Sequence, residues 1–213
     1  MNNDLIAYYA ERAEEYEKIY DKPERQSDLL AVSELLQTIF ASKEVFEIAC
    51  GTGYWTQRIA KTANSVFATD INQPVIDIAR EKVYEKGNVT FALADIFKYS
   101  GRSYSSLFGG FIWSHIKKQD IAHFIATVHS FVEPGGLVVF TDNNYVEDSS
   151  RPITETDEHG NTYQERILEN GKKYDVLKNF PIESEMFELL KDKAERIKFL
   201  SFKYYWVLCY NRK

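Results

Sequence analysis

Between Val45 and Thr141, short β-rich runs alternate with amphipathic stretches, and this alternation restricts the chain to a narrow set of folds. The runs are Val45 to Ala49, Ser65 to Thr69, Val89 to Leu93, Phe108 to Trp113 and Leu137 to Thr141, each rich in β-branched or aromatic residues. Helical patterns fill three of the gaps, at Tyr54 to Ala63, Pro74 to Lys86 and Gln119 to Val132. Neighbouring parallel strands need a crossover of about a dozen residues or more, and right-handed crossovers lay helices on both faces of one sheet. The expected fold class is therefore α/β, with a doubly wound, mostly parallel sheet.

The two ends of the chain depart from the alternation. Leu5 to Tyr20 mixes aromatic and charged residues at helical spacing, Pro23 interrupts it, and a second helical stretch runs from Glu24 to Phe40. In the last third, Tyr163 to Leu168 and Lys173 to Leu177 flank Asn170-Gly171, a dipeptide suited to a tight hairpin turn. If that turn has two residues, Arg166 lies opposite Asp175 and Lys178 falls on the other face, unless a bulge intervenes. A helix from Glu183 to Asp192 follows. The final strands, Arg196 to Ser201 and Tyr204 to Tyr210, are joined too tightly for a parallel crossover and must run antiparallel. With no repeat and no linker, residues 1–213 read as one domain, in which 1–40 form a helical lid and 161–179 a hairpin insertion over the site.

Composition decides mainly what the chain does not do. The net charge is −6 and the basic residues are scattered, with no cluster longer than a pair such as Lys117-Lys118, so a nucleic-acid-gripping face is not expected. No run of about 18 apolar residues exists to span a bilayer, and the start of the chain lacks the features of a secretory signal. A soluble, cytoplasmic protein acting on a small molecule is the expectation. Two cysteines, Cys50 and Cys209, are too few for a disulfide framework.

The segment Glu47-Ile48-Ala49-Cys50-Gly51-Thr52-Gly53-Tyr54-Trp55 reads as a strand running into a glycine turn that opens a helix. Gly51 and Gly53 let the backbone bend sharply and let a ligand approach without meeting a Cβ. Asp70 ends the next strand about twenty residues on, where a carboxylate can accept hydrogen bonds from ribose hydroxyls. Asp95 follows a third strand, with Ile96 and Phe97 beside it to sandwich a base. A dinucleotide enzyme shows the same turn and acid, but usually has a third small residue where this chain has Thr56. Each acid also has a plain reading, as an ion-paired strand residue, an N-cap or a turn acid.

On these residues the chain resembles the class I S-adenosylmethionine-dependent methyltransferases, from about Leu5 to its end and most strongly between Val45 and Asp142. The resemblance implies a seven-stranded sheet with its last strand reversed, and S-adenosyl-L-methionine as cofactor with S-adenosyl-L-homocysteine as product. It implies that Glu47 contacts the methionyl amine, often through water, Asp70 the ribose and Asp95 the adenine amine, with Ile71 and Ile96 or Phe97 against the base. Ala49, Trp55 and Trp113 complete the expected cofactor shell. Trp113-Ser114-His115, Pro134-Gly135-Gly136 and the hairpin from Glu165 to Gly171 resemble a bacterial branch that includes a phosphonate O-methyltransferase, which makes Arg166 and Lys178 candidates for holding an anionic acceptor.

His115, after the fourth strand, is the candidate base, because its ordinary pKa near 6.5 suits removal of a proton from a hydroxyl or amine. The alternatives are a helix cap or packing on the cofactor. Asp142-Asn143 has a loose likeness to the metal site of catechol-type methyltransferases, but Trp113 and Ser114 stand where its partner carboxylate belongs, and no metal is expected. Tyr8, Tyr9, Tyr16 and Tyr20 form an aromatic stripe on the N-terminal helix, with Tyr16 expected at the cofactor and Tyr20 at the acceptor. Direct in-line displacement needs chiefly positioning, and an acceptor that is already anionic needs no base.

Overall fold

The protein is described by a computed structural model covering residues 3–213. The strands β1 (Glu44–Ile48), β2 (Ser65–Asp70), β3 (Val89–Leu93), β4 (Tyr104–Gly110) and β5 (Val132–Asn143) alternate with α3 (Tyr54–Ile59), α4 (Gln73–Glu81) and α5 (Ile121–Ser130). They are preceded by α1 (Asn3–Glu11), a 3₁₀ segment at Ala13–Tyr20, a second at Pro23–Arg25, and α2 (Gln26–Ile39). Then come β6 (Glu155–Thr156), β7 (Thr162–Ile167), β8 (Lys173–Leu177), α6 (Glu183–Leu190), β9 (Ala194–Ser201) and β10 (Tyr205–Arg212).

Seven strands form one sheet in the order β3-β2-β1-β4-β5-β10-β9. β1 to β5 pair in parallel, while β10 is antiparallel to both of its neighbours. The central strand β1 is buried at every residue after Glu44, as a strand covered on both faces must be. One hydrophobic layer packs Phe46, Ile48, Phe124, Val128, Phe140 and Trp206, and the other packs Leu36, Phe40, Ile59, Phe108 and Val207. The doubly wound reading and the reversed last strand are both borne out. No helix among the described residues is long and apolar enough to cross a membrane.

Two sequence expectations shift. The fourth strand is Tyr104–Gly110 rather than Phe108 to Trp113, because Phe111 turns out of the sheet at φ 57 and Trp113–His115 forms a 3₁₀ turn. The hairpin register also moves by one residue. The Leu168 amide donates to the Lys172 carbonyl and the Gly171 amide to the Leu168 carbonyl, so the loop is Glu169-Asn170-Gly171 with Gly171 at φ 84. A three-residue loop ending in a left-handed glycine is a standard hairpin geometry. Arg166 therefore lies opposite Tyr174 rather than Asp175, and Arg166 and Lys178 fall on one face of the hairpin. β6 adds a third strand, making a small separate sheet in the order β6-β7-β8, against which α1 packs.

Candidate functional site

β1 and β4 are adjacent in the sheet but lead to crossovers on opposite sides, and ligands bind at the carboxyl end of such a switch point. A cleft opens there. Its floor comes from the strand ends: Ala49 and Gly51 after β1, Asp70, Ile71 and Asn72 at β2, Ala94 and Ile96 after β3, and Gly110, Phe111 and Ile112 after β4. Its roof is Leu5, Ile6 and Tyr9 from α1 with Tyr16 from the 3₁₀ segment, while Val75 and His115 close the sides. Ala49 and Phe111 both hold positive φ, at 52° and 57°, although neither is glycine. Such residues cost of order 1–3 kcal/mol each and concentrate at functional sites.

The glycine turn is built around Asp70. Its Oδ2 accepts the Gly51 amide at 2.9 Å and its Oδ1 accepts the Asn72 amide at 2.9 Å, so one carboxylate ties the turn after β1 to the start of α4. Burial raises its pKa, opposed by these amides. Gly51 leaves open space, since an added Cβ would meet only Tyr16 Cε1 at 3.8 Å. Gly53 serves packing rather than ligand approach: an added Cβ would stand 2.7 Å from the Tyr84 hydroxyl and 3.0 Å from Ala79 Cβ.

Glu47 lies beneath the turn, 1% exposed, and burial pushes its pKa up to about 8. Its Oε2 is buried without a hydrogen-bond partner among the described residues. A buried, unsatisfied carboxylate oxygen is rare enough to need a reason.

His115 sits where the cleft meets the hairpin. Its Nδ1 is 2.6 Å from the Leu177 carbonyl, which can only accept, so the proton is on Nδ1. Nε2 then accepts from the Tyr9 hydroxyl at 2.7 Å. Burial first, and the Lys178 ammonium second, push its pKa down to about 3, so the ring is neutral at physiological pH. Behind it, Lys178 Nζ donates to Asp142 Oδ1 at 2.8 Å and to Ser114 Oγ at 2.7 Å, and the Ser114 amide donates to Asp142 Oδ2 at 2.9 Å. Both charges are buried. The Lys178 ammonium and His115 hold the Asp142 carboxyl below its ordinary range against the opposing effect of burial.

Of the residues the sequence suggests, Tyr16, Ala49, Gly51, Asp70, Ile71, Ile96 and His115 line the cleft. Glu47 lies one layer below it. Trp113 does not reach it: with β4 ending early, its ring packs in the core against Phe124, Phe140 and Trp206. Trp55 packs against Tyr54 and Phe111 under the turn, Tyr20 stacks on Tyr54 at 3.6 Å, and Phe97 stacks on His123. Asp95 stands just beyond Ala94, where it accepts the Phe97 amide and pairs with Lys98 at 3.5 Å. Arg166 is half-buried behind Tyr9, donating to Gln164 Oε1 at 2.6 Å and leaving its Nε unsatisfied. Lys178 is taken up by Asp142.

Sequence reasoning missed Leu5, Ile6, Asn72, Val75, Phe111 and Ile112 as lining residues, and it missed Tyr9 as the partner of His115. It also missed a clasp in which Thr52 Oγ1 donates to Glu17 Oε1 at 2.6 Å while Lys82 pairs with the same carboxylate at 2.8 Å, joining the 3₁₀ segment to the turn and to α4. No spacing rule links these residues, because each pair meets only across elements.

A family model described as a methyltransferase domain matches residues 45–136. Among curated proteins, malonyl-[acyl-carrier protein] O-methyltransferase 2 of Ilyobacter polytropus is 36% identical over 108 residues, covering 47% of this chain and 40% of that protein. Phosphoethanolamine N-methyltransferase 1 of Triticum aestivum is 25% identical over 167 residues, covering 74% of this chain and 32% of that protein. The chain thus spans well under half the length of these curated relatives. Among solved structures, DhpI in complex with SAH superposes with a TM-score of 0.80 at 25% identity, covering 98% of this chain and 95% of that one. The DhpI complex with SAM and HEP gives 0.78 at 27%, covering 98% and 99%. Residues 45–136 thus match a methyltransferase domain, and nearly the whole chain superposes on DhpI bound to SAH or to SAM, so the protein has the Rossmann-like fold of these methyltransferase neighbours.

Proposed function

We propose that this chain transfers the methyl group of S-adenosylmethionine to a small, anionic acceptor, by O-methylation through in-line displacement. The observation that carries the reading is the pairing of an open glycine turn with a buried carboxylate oxygen that lacks a partner, at the switch point of the sheet. An ammonium group brought to the turn satisfies Glu47 Oε2, directly or through one water. Asp70 has lone pairs left after holding the Gly51 and Asn72 amides, and these suit ribose hydroxyls. Ile71, Val75 and Ile96 offer apolar faces for the base, with Asp95 beyond Ala94 for its amine. The residues present therefore fit the cofactor, which when bound supplies a methyl group already activated by its sulfonium.

The remaining work falls to the roof and the hairpin. Leu5, Ile6, Tyr9 and Tyr16 exclude water from the cleft. Arg166, half-buried with no carboxylate within 4 Å among the described residues, attracts the anion, and Lys178 adds charge only to the extent that Asp142 leaves it unneutralised. His115 is better suited to hold Tyr9 against the acceptor than to take a proton, since its Nε2 already accepts from that hydroxyl. An anionic oxygen nucleophile needs no base.

The test has two steps. Calorimetric titration with S-adenosylhomocysteine, NAD and NADP should give heat with the first alone, and binding of a nicotinamide dinucleotide instead would overturn the cofactor assignment. Incubation with methyl-labelled cofactor and a panel of phosphonates, carboxylates, phenols and amines should then label the acids. Label confined to neutral amines would overturn the acceptor class.

A further inference from the structure

Beside the hairpin, outside the cleft, Lys22 Nζ and Arg25 Nη2 both donate to one oxygen, the Ser149 carbonyl, at 2.7 and 3.1 Å. Two cations thus stand side by side on a single neutral acceptor. Neither has a carboxylate within 4 Å among the described residues, and Glu24 reaches them only through the Ser149 hydroxyl, which donates to it at 2.9 Å. Arg25 is buried, with Nε and Nη1 satisfied by Ser149 Oγ and Asn143 Oδ1 and its guanidinium over the Tyr204 and Tyr205 rings, so its partners are neutral and no carboxylate pairs with it directly.

The cluster extends through Gln164, whose amide nitrogen donates to the Arg151 carbonyl at 2.5 Å and whose oxygen accepts from Arg166. Arg151 is exposed, and no ion pair or hydrogen bond engages its guanidinium among the described residues. In support, the pKa of Lys22 is lowered by burial first and by Arg25 next, with Arg151 and Arg166 acting in the same direction and the Glu24 carboxylate opposing them in part. A chain of net charge −6 has gathered Lys22, Arg25, Arg151 and Arg166 on one side of the insertion, with Asp142 committed to Lys178. Like charges this close repel unless an anion compensates them.

We infer that Lys22, Arg25 and Arg151 form a second anion-binding locus next to Arg166, one that takes a phosphate- or phosphonate-type oxyanion. A guanidinium fork and a mobile ammonium together suit three tetrahedrally disposed oxygens. The locus stands on its own geometry and rests on the methyl-transfer reading only for which molecule brings the anion, a distal group of the acceptor or a free inorganic anion.

The experiment is calorimetric titration of inorganic phosphate into the full chain saturated with S-adenosylhomocysteine. One further site is expected, weakening as salt rises from about 50 to about 200 mM. Lys22→Met and Arg151→Gln should each weaken it about tenfold, whereas Lys98→Met, an exposed cation elsewhere, should leave it unchanged. Arg151 is exposed, so its variant keeps the test valid if Lys22→Met folds poorly. Methylenediphosphonate binding at least tenfold tighter than phosphate identifies a group of the acceptor, and equal affinity identifies a separate anion. Phosphate binding unchanged in both variants overturns the locus. The heat of S-adenosylhomocysteine binding, recorded separately in each variant, reports failure of the cofactor reading independently.

Discussion

Replacing Glu47 by glutamine changes the charge of one side chain and almost nothing of its shape, which makes its consequences calculable. In the folded chain, burial raises this carboxyl to about 8 from its ordinary 4.5. Between those two values the folded state holds a proton that the unfolded state has released. Stability must therefore fall as pH rises through this window, the opposite of the usual salt-bridged carboxylate. Each unit corresponds to about 1.4 kcal/mol, so the full window amounts to about 5 kcal/mol of destabilisation above pH 8, and to none below pH 4.5. The amide of the Glu47→Gln variant cannot ionise and escapes it. Urea denaturation of the cofactor-free chain should find the variant and the parent equally stable at about pH 5, within about 1 kcal/mol, and the variant more stable by several kcal/mol at about pH 8.5.

Cofactor binding should show the other side of the same balance. At neutral pH most of the parent carries a protonated Glu47, and an ammonium ligand must expel that proton, so calorimetry in buffers of different ionisation enthalpy should register release of nearly one proton per ligand. In Glu47→Gln that release should vanish and affinity should drop by about tenfold or more. The variant also provides the baseline for any titration of the ligand's own amine. If Glu47→Gln destabilised the chain equally at both pH values, or if the parent released no proton on binding, the buried carboxyl would not be the ammonium partner proposed.

Other perturbations follow from the same geometry. Gly53→Ala forces a Cβ to within 2.7 Å of the Tyr84 hydroxyl at a φ of 79, and should cost about 1–3 kcal/mol in chemical denaturation while leaving acceptor selectivity untouched. Asp142→Asn strands the Lys178 ammonium in the interior and should cost about 3–5 kcal/mol, most of which Asp142→Asn with Lys178→Met should recover; an equal loss in the double variant would refute the ion-pair account. Because His115 is held near 3 against an ordinary 6.5, the unfolded chain binds its proton first, so stability should rise with pH across that window and be lost as pH falls through it. His115→Gln should flatten that segment of the curve. Tyr9→Phe removes the donor to Nε2 and should raise KM for the acceptor more than it weakens cofactor binding.

Much of the glycine-turn side of the candidate cleft was legible before folding. Val45 to Asp95 is local: strand, turn, helix, strand, and an acid at each strand end are short-range patterns, and placing them on one sheet brings them to one edge. The hairpin side was not. Trp113 looked like a cleft residue because the strand pattern runs on to it, yet the left-handed Phe111 ends β4 early and turns the indole into the core. The hairpin was placed correctly, but a three-residue loop in place of two shifts the register and brings Arg166 and Lys178 onto one face. One residue of loop reverses every side chain that follows.

What the sequence determined alone is the parallel sheet, its switch point and the glycine turn, because hydrophobic period and glycine spacing act over a few residues and need no partner. The tertiary structure decided which charges remain free. Lys178 is neutralised by Asp142 from another strand, His115 receives its hydrogen bond from Tyr9 more than a hundred positions earlier, and Lys22 meets Arg25 on a carbonyl of a distant loop. Ion pairs and burial depend on distances between elements, and those distances exist only once the sheet has set every element in its place.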